Sequence, residues 1–298
     1  MGLWYVIKCH GFVLVPRTIP TMRTIHCLTS TTYLNSDSGI ACVLMILRWL
    51  RDDQGYPNNS MLTDKEMKER AEMIRMVRTE SVWTADLVLL LDQLFRHEGQ
   101  EDEHQQRRSR QPRHRFLFCS KTFQVDTEHR NLSYYSAAFS NDQIRVSEKF
   151  SELRRLNTPM LCISKLPLKY VLGVVTNRHC VAIVLVDNST LFASSSASGS
   201  GDGAALGGVE QKQDVFTGHY VILCGISTNP QELSIAQSFD NDDSGRIGSE
   251  DFCVVILDPG KPNIKTMYAT PKRFERAWRT KGTDNDIIFI AKDALEEL

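Results

Sequence analysis

Three residues far apart in the chain have the types that nucleophilic catalysis requires: Ser38, His219 and Asp258. Such a site needs a nucleophile, a histidine base and a group that orients the base. Ser38 begins a segment in which Ile40, Val43, Leu44, Leu47 and Leu50 recur at helical spacing. Asp37 and Ser38 therefore sit where helix N-cap residues belong, and free N–H groups and the helix dipole favour a reactive anion there. A nucleophile, a plain cap and the vestige of a former nucleophile all fit Ser38. His219 opens the apolar run GHYVILCGI, and Asp258 closes the run FCVVILD just before Pro259. If these runs are antiparallel neighbours, the start of one lies beside the end of the other, and the two side chains meet. On spacing alone, a surface histidine and a turn aspartate are the commoner origin of such a pair.

Several elements must hold these residues. The sequence predicts helices at about 39–51, 63–78, 81–99, 141–156 and 271–282, with Thr84 capping the third and Gly99 ending it. Strands are expected at 11–16, 116–123, 159–164, 180–187, 218–226, 252–258 and 286–292. CVAIVLVD (180–187) is continuously apolar and β-branched, so it is placed at the centre of a sheet. Helices come first and most strands later, which indicates an α+β fold with helices packed on a largely antiparallel sheet. One domain over 11–292 is expected, with polar insertions at 98–115, 193–213 and 228–251. The GSGDG of the second insertion lacks the GKS/T ending and the strand context of a phosphate loop, so it reads as linker.

Composition narrows the function classes. The chain has 298 residues, 42% hydrophobic and 24% charged, with a net charge of −1. That offers no basic field for nucleic acid. Eight scattered cysteines without a CxxC pair read as reduced thiols of a cytoplasmic protein, and no Cys/His quartet has zinc spacing. No apolar run approaches the roughly 20 residues of a membrane span. The start MGLWYVIKCHGFVLVP lacks the basic region of a signal peptide.

DSGIACVLMILRWL (37–50) resembles the D-C-G-[LI]-A-C-x-x-M-x-L-R stretch of the guanylyl cyclase domain-containing protein family of animals and plants. The resemblance continues in order through SVWTADL, HCVAIVLV, GHYVIL, the DP of LDPG and FERAWRTKGTDNDIIFI. The D-C-G, histidine-strand and D-P blocks are also similar to bacteriocin-processing peptidases, a branch of the papain-like cysteine peptidases. That likeness implies a papain-like fold with Ser38 at the nucleophile position, His219 as base and Asp258 orienting it. Thr32 falls at the oxyanion position. Ser38 stands where the family has Cys, Thr32 where it has Gln, and Ser36 where it has Trp. A serine hydroxyl has a far higher pKa than a thiol, and a lost oxyanion donor costs on the order of 10²–10³ in rate. All the departures lie in residues 17–38, as a degenerate site or a mistranslated exon edge would leave them. Cys42, the family's second cysteine, is expected to face the core and be inert.

The reading that follows is a cysteine-peptidase-like protein without peptidase turnover, with an unidentified protein or peptide partner. The family name implies an alternative, cyclisation of GTP to cyclic GMP with Mg²⁺ or Mn²⁺. Against it, no P-loop occurs, and Asp187 and Asp258 are the strand-end acids that could hold metal. A further alternative is an interaction module tuned by Ca²⁺. DNDDSGRIGSED (240–251) fits an EF-hand loop, with Asp240, Asp242 and Ser244 at positions 1, 3 and 5. Gly245 falls at the turn, Arg246 offers its carbonyl, and Asp251 stands where a bidentate Glu is usual. PQELSIAQSF could be its entering helix, but a strand follows in place of the exiting one.

Overall fold

The computed structural model describes residues 38–51, 64–79, 81–103, 115–136, 139–177, 180–192, 216–239, 251–260 and 266–292, with residues 97–103 described by backbone alone. The strand expected at 11–16, Thr32, the insertion at 193–213 and loop residues Asp240, Asp242, Ser244 and Arg246 lie outside these residues.

The chain opens with α1 (Ser38–Arg51), α2 (Asp64–Val77) and α3 (Thr84–Glu103). Every residue of α1 from Ser38 to Arg48 is buried. A helix apolar on all sides must be enclosed on all sides, and α1 lies against α2, α3 and the sheet. Its one buried cation, Arg48, is held by Glu66 of α2, Nη2 donating to Oε2 at 2.6 Å. Gly99 does not end α3, which continues into the polar stretch to Glu103.

Next come β1 (Phe116–Ser120), a 3-10 turn (Thr127–Asn131), α4 (Ser133–Ser136), α5 (Phe139–Arg155) and β2 (Met160–Cys162). α6 (Leu168–Asn177) leads to β3 (Cys180–Asp187), α7 (Asn188–Phe192), β4 (Gly218–Ser227) and α8 (Pro230–Ser238). β5 (Cys253–Leu257), β6 (Met267–Ala269), α9 (Pro271–Trp278) and β7 (Ile287–Ala291) complete the order.

The strands form one seven-stranded sheet in the order β2-β1-β7-β3-β4-β5-β6. All neighbours are antiparallel except the β1–β2 pair. β3 and β4 lie side by side inside it and are buried along their whole length. Both faces are covered, which is why these runs do not alternate with polar residues. One face packs on α1, α3 and α5 through Val181, Ile183, Ile222 and Ile288. The other packs on α6 and α9 through Val184, Val221, Leu223 and Phe289. The sequence reading had no helix at 168–177 and no strand at 267–269, so the second face was not foreseen. β2, within the strand expected at 159–164, lies at the sheet edge with Cys162 exposed.

Trp278 and Phe274 of α9 are fully buried in the second face. Such burial stabilises by about 1.5–3 kcal/mol per side chain. Thr270 caps this helix by accepting from Arg273 N, and Pro271 occupies the first turn, where its missing N–H costs nothing. Among the described residues, no helix is long and apolar enough to cross a membrane.

Candidate functional site

β4 and β5 are antiparallel neighbours whose pairing begins at Ile222 opposite Leu257. Asp258 follows the end of β5 and His219 precedes the part of β4 that pairs with β5. Their side chains meet there: His219 Nε2 lies 2.7 Å from Asp258 Oδ1. Asp258 Oδ1 also accepts from Gly260 N at 2.8 Å, in the turn begun by Pro259. As a carboxylate Asp258 can only accept, so Nε2 carries the proton and Nδ1 is left as the basic nitrogen. Both residues are buried, His219 at 6% exposure and Asp258 at 3%. Space at Gly260 is tight: a Cβ there would stand 3.2 Å from both Asp258 Oδ1 and His219 Cε1.

Ser38 reaches the same strand one residue further on. Tyr220 N donates to Ser38 Oγ at 3.1 Å. Tyr220 lies beyond the last β4–β5 pair. Gly39 allows this approach, because a Cβ at that position would stand 2.8 Å from Leu87 Cδ1 and 3.1 Å from Tyr220 Cδ2. The Tyr220 ring enters the core beneath α1 and α3, where its hydroxyl lies 3.1 Å from Thr84 Oγ1. By strand alternation His219 faces the other side, where its ring meets Phe192 of α7 edge-on at 6.4 Å. The start of β4 is fixed further by Tyr134 OH, which donates to Gly218 O at 3.2 Å.

Thr32, the remaining member of the expected set, lies outside the described residues. Asp187, the other strand-end acid, is spent on capping α7: its Oδ2 accepts from Thr190 Oγ1 at 2.5 Å and from Ser189 Oγ at 2.8 Å. Its Oδ1 accepts from Thr217 N at 3.1 Å. Of the expected calcium loop, Asp251 is the described residue, exposed in a bend before β5. Cys42 is fully buried, as the helical spacing predicts.

A second polar locus escaped the sequence reading. In the turn between α9 and β7, Asp284 and Asp286 stand close together beneath the 3-10 turn. Burial, and then the charge of Asp286, hold Asp284 well above the ordinary carboxylate range. Burial raises Asp286 as well. His129 of the 3-10 turn is held below its ordinary value by burial. No motif marks these residues, which come from turns far apart in the chain.

The chain matches the guanylylate cyclase family model over residues 30–290. It belongs to that family. The match includes α1, the His219–Asp258 pair and the whole sheet but for the last residue of β7. Guanylyl cyclase 1 of Arabidopsis thaliana is 24% identical over 254 residues, which cover 85% of this chain and 71% of the relative. No solved structure matches the chain.

Proposed function

We propose that His219 and Asp258 form the general base of a nucleotide cyclase that converts GTP to cyclic GMP. The observation that carries this reading is the buried 2.7 Å contact between His219 Nε2 and Asp258 Oδ1. Family membership supplies the substrate class. His219 takes the proton of the ribose 3′-hydroxyl, that oxygen bonds to the α-phosphorus, and the bond to the pyrophosphate oxygen breaks. An oriented base contributes typically 10²–10⁴-fold to such a step. A divalent ion, when bound, neutralises the triphosphate. Oδ1 of Asp258 is already engaged by His219 and Gly260. Asp126, His129 and Asp284 are the described residues whose donor atoms fit one.

Product identification tests this reading. The purified chain is incubated with GTP and MnCl₂, and nucleotides are resolved by mass spectrometry. Cyclic GMP and pyrophosphate in equal amounts are expected. A folded protein that returns only GTP, or GDP and phosphate, contradicts it.

A second reading is favoured by the contact of Ser38 with the strand beside His219. Here the chain is one papain-like domain over 11–292 whose peptidase-like site lost its turnover when Ser replaced Cys. Ser38→Cys with Thr32→Gln then restores a thiol of lowered pKa at the N-terminus of α1. Alkylation of that thiol should persist below pH 7. A rate that follows an ordinary thiol near pKa 8.5 excludes this site.

A further inference from the structure

We propose that Asp126, His129 and Asp284 form a binding site for one divalent transition-metal cation, of the Mn²⁺ or Zn²⁺ class. Each offers a donor atom, and these atoms lie within 4.8 Å of one another. Atoms around a shared ion at 2.0–2.2 Å stand no further apart than about 4.4 Å, so a small contraction closes the set. The donors are already held. Asp126 caps the 3-10 turn, its Oδ1 accepting from Glu128 N at 2.9 Å, which leaves Oδ2 for a ligand. His129 is the third residue of that turn. Asp284 is fixed by its own backbone, whose carbonyl accepts from Lys121 N at 3.3 Å.

Two buried atoms show that polar capacity here is unspent. The His129 ring is 2% exposed, stacks on Tyr135 at 5.2 Å, and its Nδ1 has no hydrogen-bond partner. Asp286 Oδ1 is buried and equally without a partner, two residues from Asp284. A buried polar atom without a partner costs about 1–3 kcal/mol, so this neighbourhood is polar beyond what its own hydrogen bonds use, although the nitrogen that faces Asp284 is Nε2. The Nε2 of His129 lies 3.4 Å from Asp284 Oδ1, beyond the charge-assisted distance of about 2.7–2.9 Å. Two ligands held at 2.0–2.2 Å from one ion stand at such a separation without further movement.

The donor set selects the class of metal. Imidazole suits Zn²⁺ and its neighbours, whereas carboxylates suit Mn²⁺ and harder ions. One nitrogen with two carboxylates is intermediate, so Mn²⁺ and Zn²⁺ should bind in preference to Mg²⁺ and Ca²⁺. The site does not depend on GTP chemistry, and its test reads metal rather than turnover.

The full chain is stripped with EDTA, dialysed, and titrated with MnCl₂ or ZnCl₂ by calorimetry, with CaCl₂ and MgCl₂ in parallel. One Mn²⁺ or Zn²⁺ per chain is expected, bound at least tenfold more weakly by His129→Gln and by Asp126→Asn. Asp126 lies at the half-buried rim, so its variant keeps the site testable if the His129 variant misfolds. Asp240→Ala separates this site from the acidic loop and should leave binding intact. Failure of the wild type to bind either metal at 1 mM overturns the proposal. So does unchanged affinity in the folded Asp126 and His129 variants, or loss of binding in Asp240→Ala alone.

Discussion

Gly260 and the cysteines make testable claims at the scale of single residues. Gly260→Ala introduces a Cβ 3.2 Å from both members of the His219–Asp258 pair. The neighbour must move by a few tenths of an ångström, so cyclisation should fall about tenfold or more, since a 1 Å misplacement can cost 10²-fold. Thermal unfolding should change little, and a fully active Gly260→Ala enzyme would show that the pair is not under that constraint. Burial holds Cys119 and Cys224 up at about 12. Their thiols therefore stay protonated throughout pH 6–9, while Cys162 is exposed on the edge strand. Peptide mapping after iodoacetamide at pH 8 should find Cys162 labelled and Cys119 and Cys224 unlabelled. Rapid labelling of Cys224 in the native protein would show that the sheet core opens. His219 and Asp258 could be named from the sequence because each stands at the end of an apolar run. Asp126, His129 and Asp284 could not, because turns have no periodicity to mark which of their residues face inward.

At the scale of elements, α3 and α5 are joined through charge. Asp86 of α3 is buried and receives Arg145 of α5, whose Nη1 donates to Oδ1 at 2.7 Å and to Oδ2 at 2.8 Å. Asp142 accepts from the same guanidinium and from Trp83 Nε1 at 3.1 Å. Removing the guanidinium leaves a buried carboxylate with Lys149, at 3.6 Å, and the Trp83 N–H, at 2.9 Å, to offset it. Breaking such a pair costs about 3–5 kcal/mol. Arg145→Ala should lower the unfolding free energy by about 3 kcal/mol in urea titrations, and a loss below about 1 kcal/mol would show that Lys149 or water replaces it. The strands β3, β4, β5 and β7 were legible because continuous β-branched runs of that length favour buried strands. α6 was not, because LKYVLGVVTN is apolar and short, and periodicity alone cannot separate a buried helix from a strand in such a run. The apolar composition of β2 does not distinguish an edge from a centre, so its place at the edge was not legible.

At the scale of the whole molecule, the sheet divides two cores and the His219–Asp258 pair stands where β4 and β5 diverge. α1 approaches from one face and α7 from the other. Consecutive tyrosines link this place to the Asp126–His129–Asp284 cluster: Tyr135 stacks on His129, and Tyr134 binds the carbonyl of Gly218. The antiparallel α+β class was readable from element order, while the second helical layer required α6 and α9 to be assigned to one face. The measurement that tests the central claim most directly is steady-state cyclisation of GTP by the wild type, His219→Ala and Asp258→Asn, each shown to be folded by circular dichroism. Cyclic GMP formation by the wild type is expected, with kcat lowered 10²–10⁴-fold in His219→Ala, as loss of a general base demands, and with KM little changed. A folded His219→Ala protein that cyclises GTP at the wild-type rate, or a wild type that forms no cyclic GMP, would contradict the account.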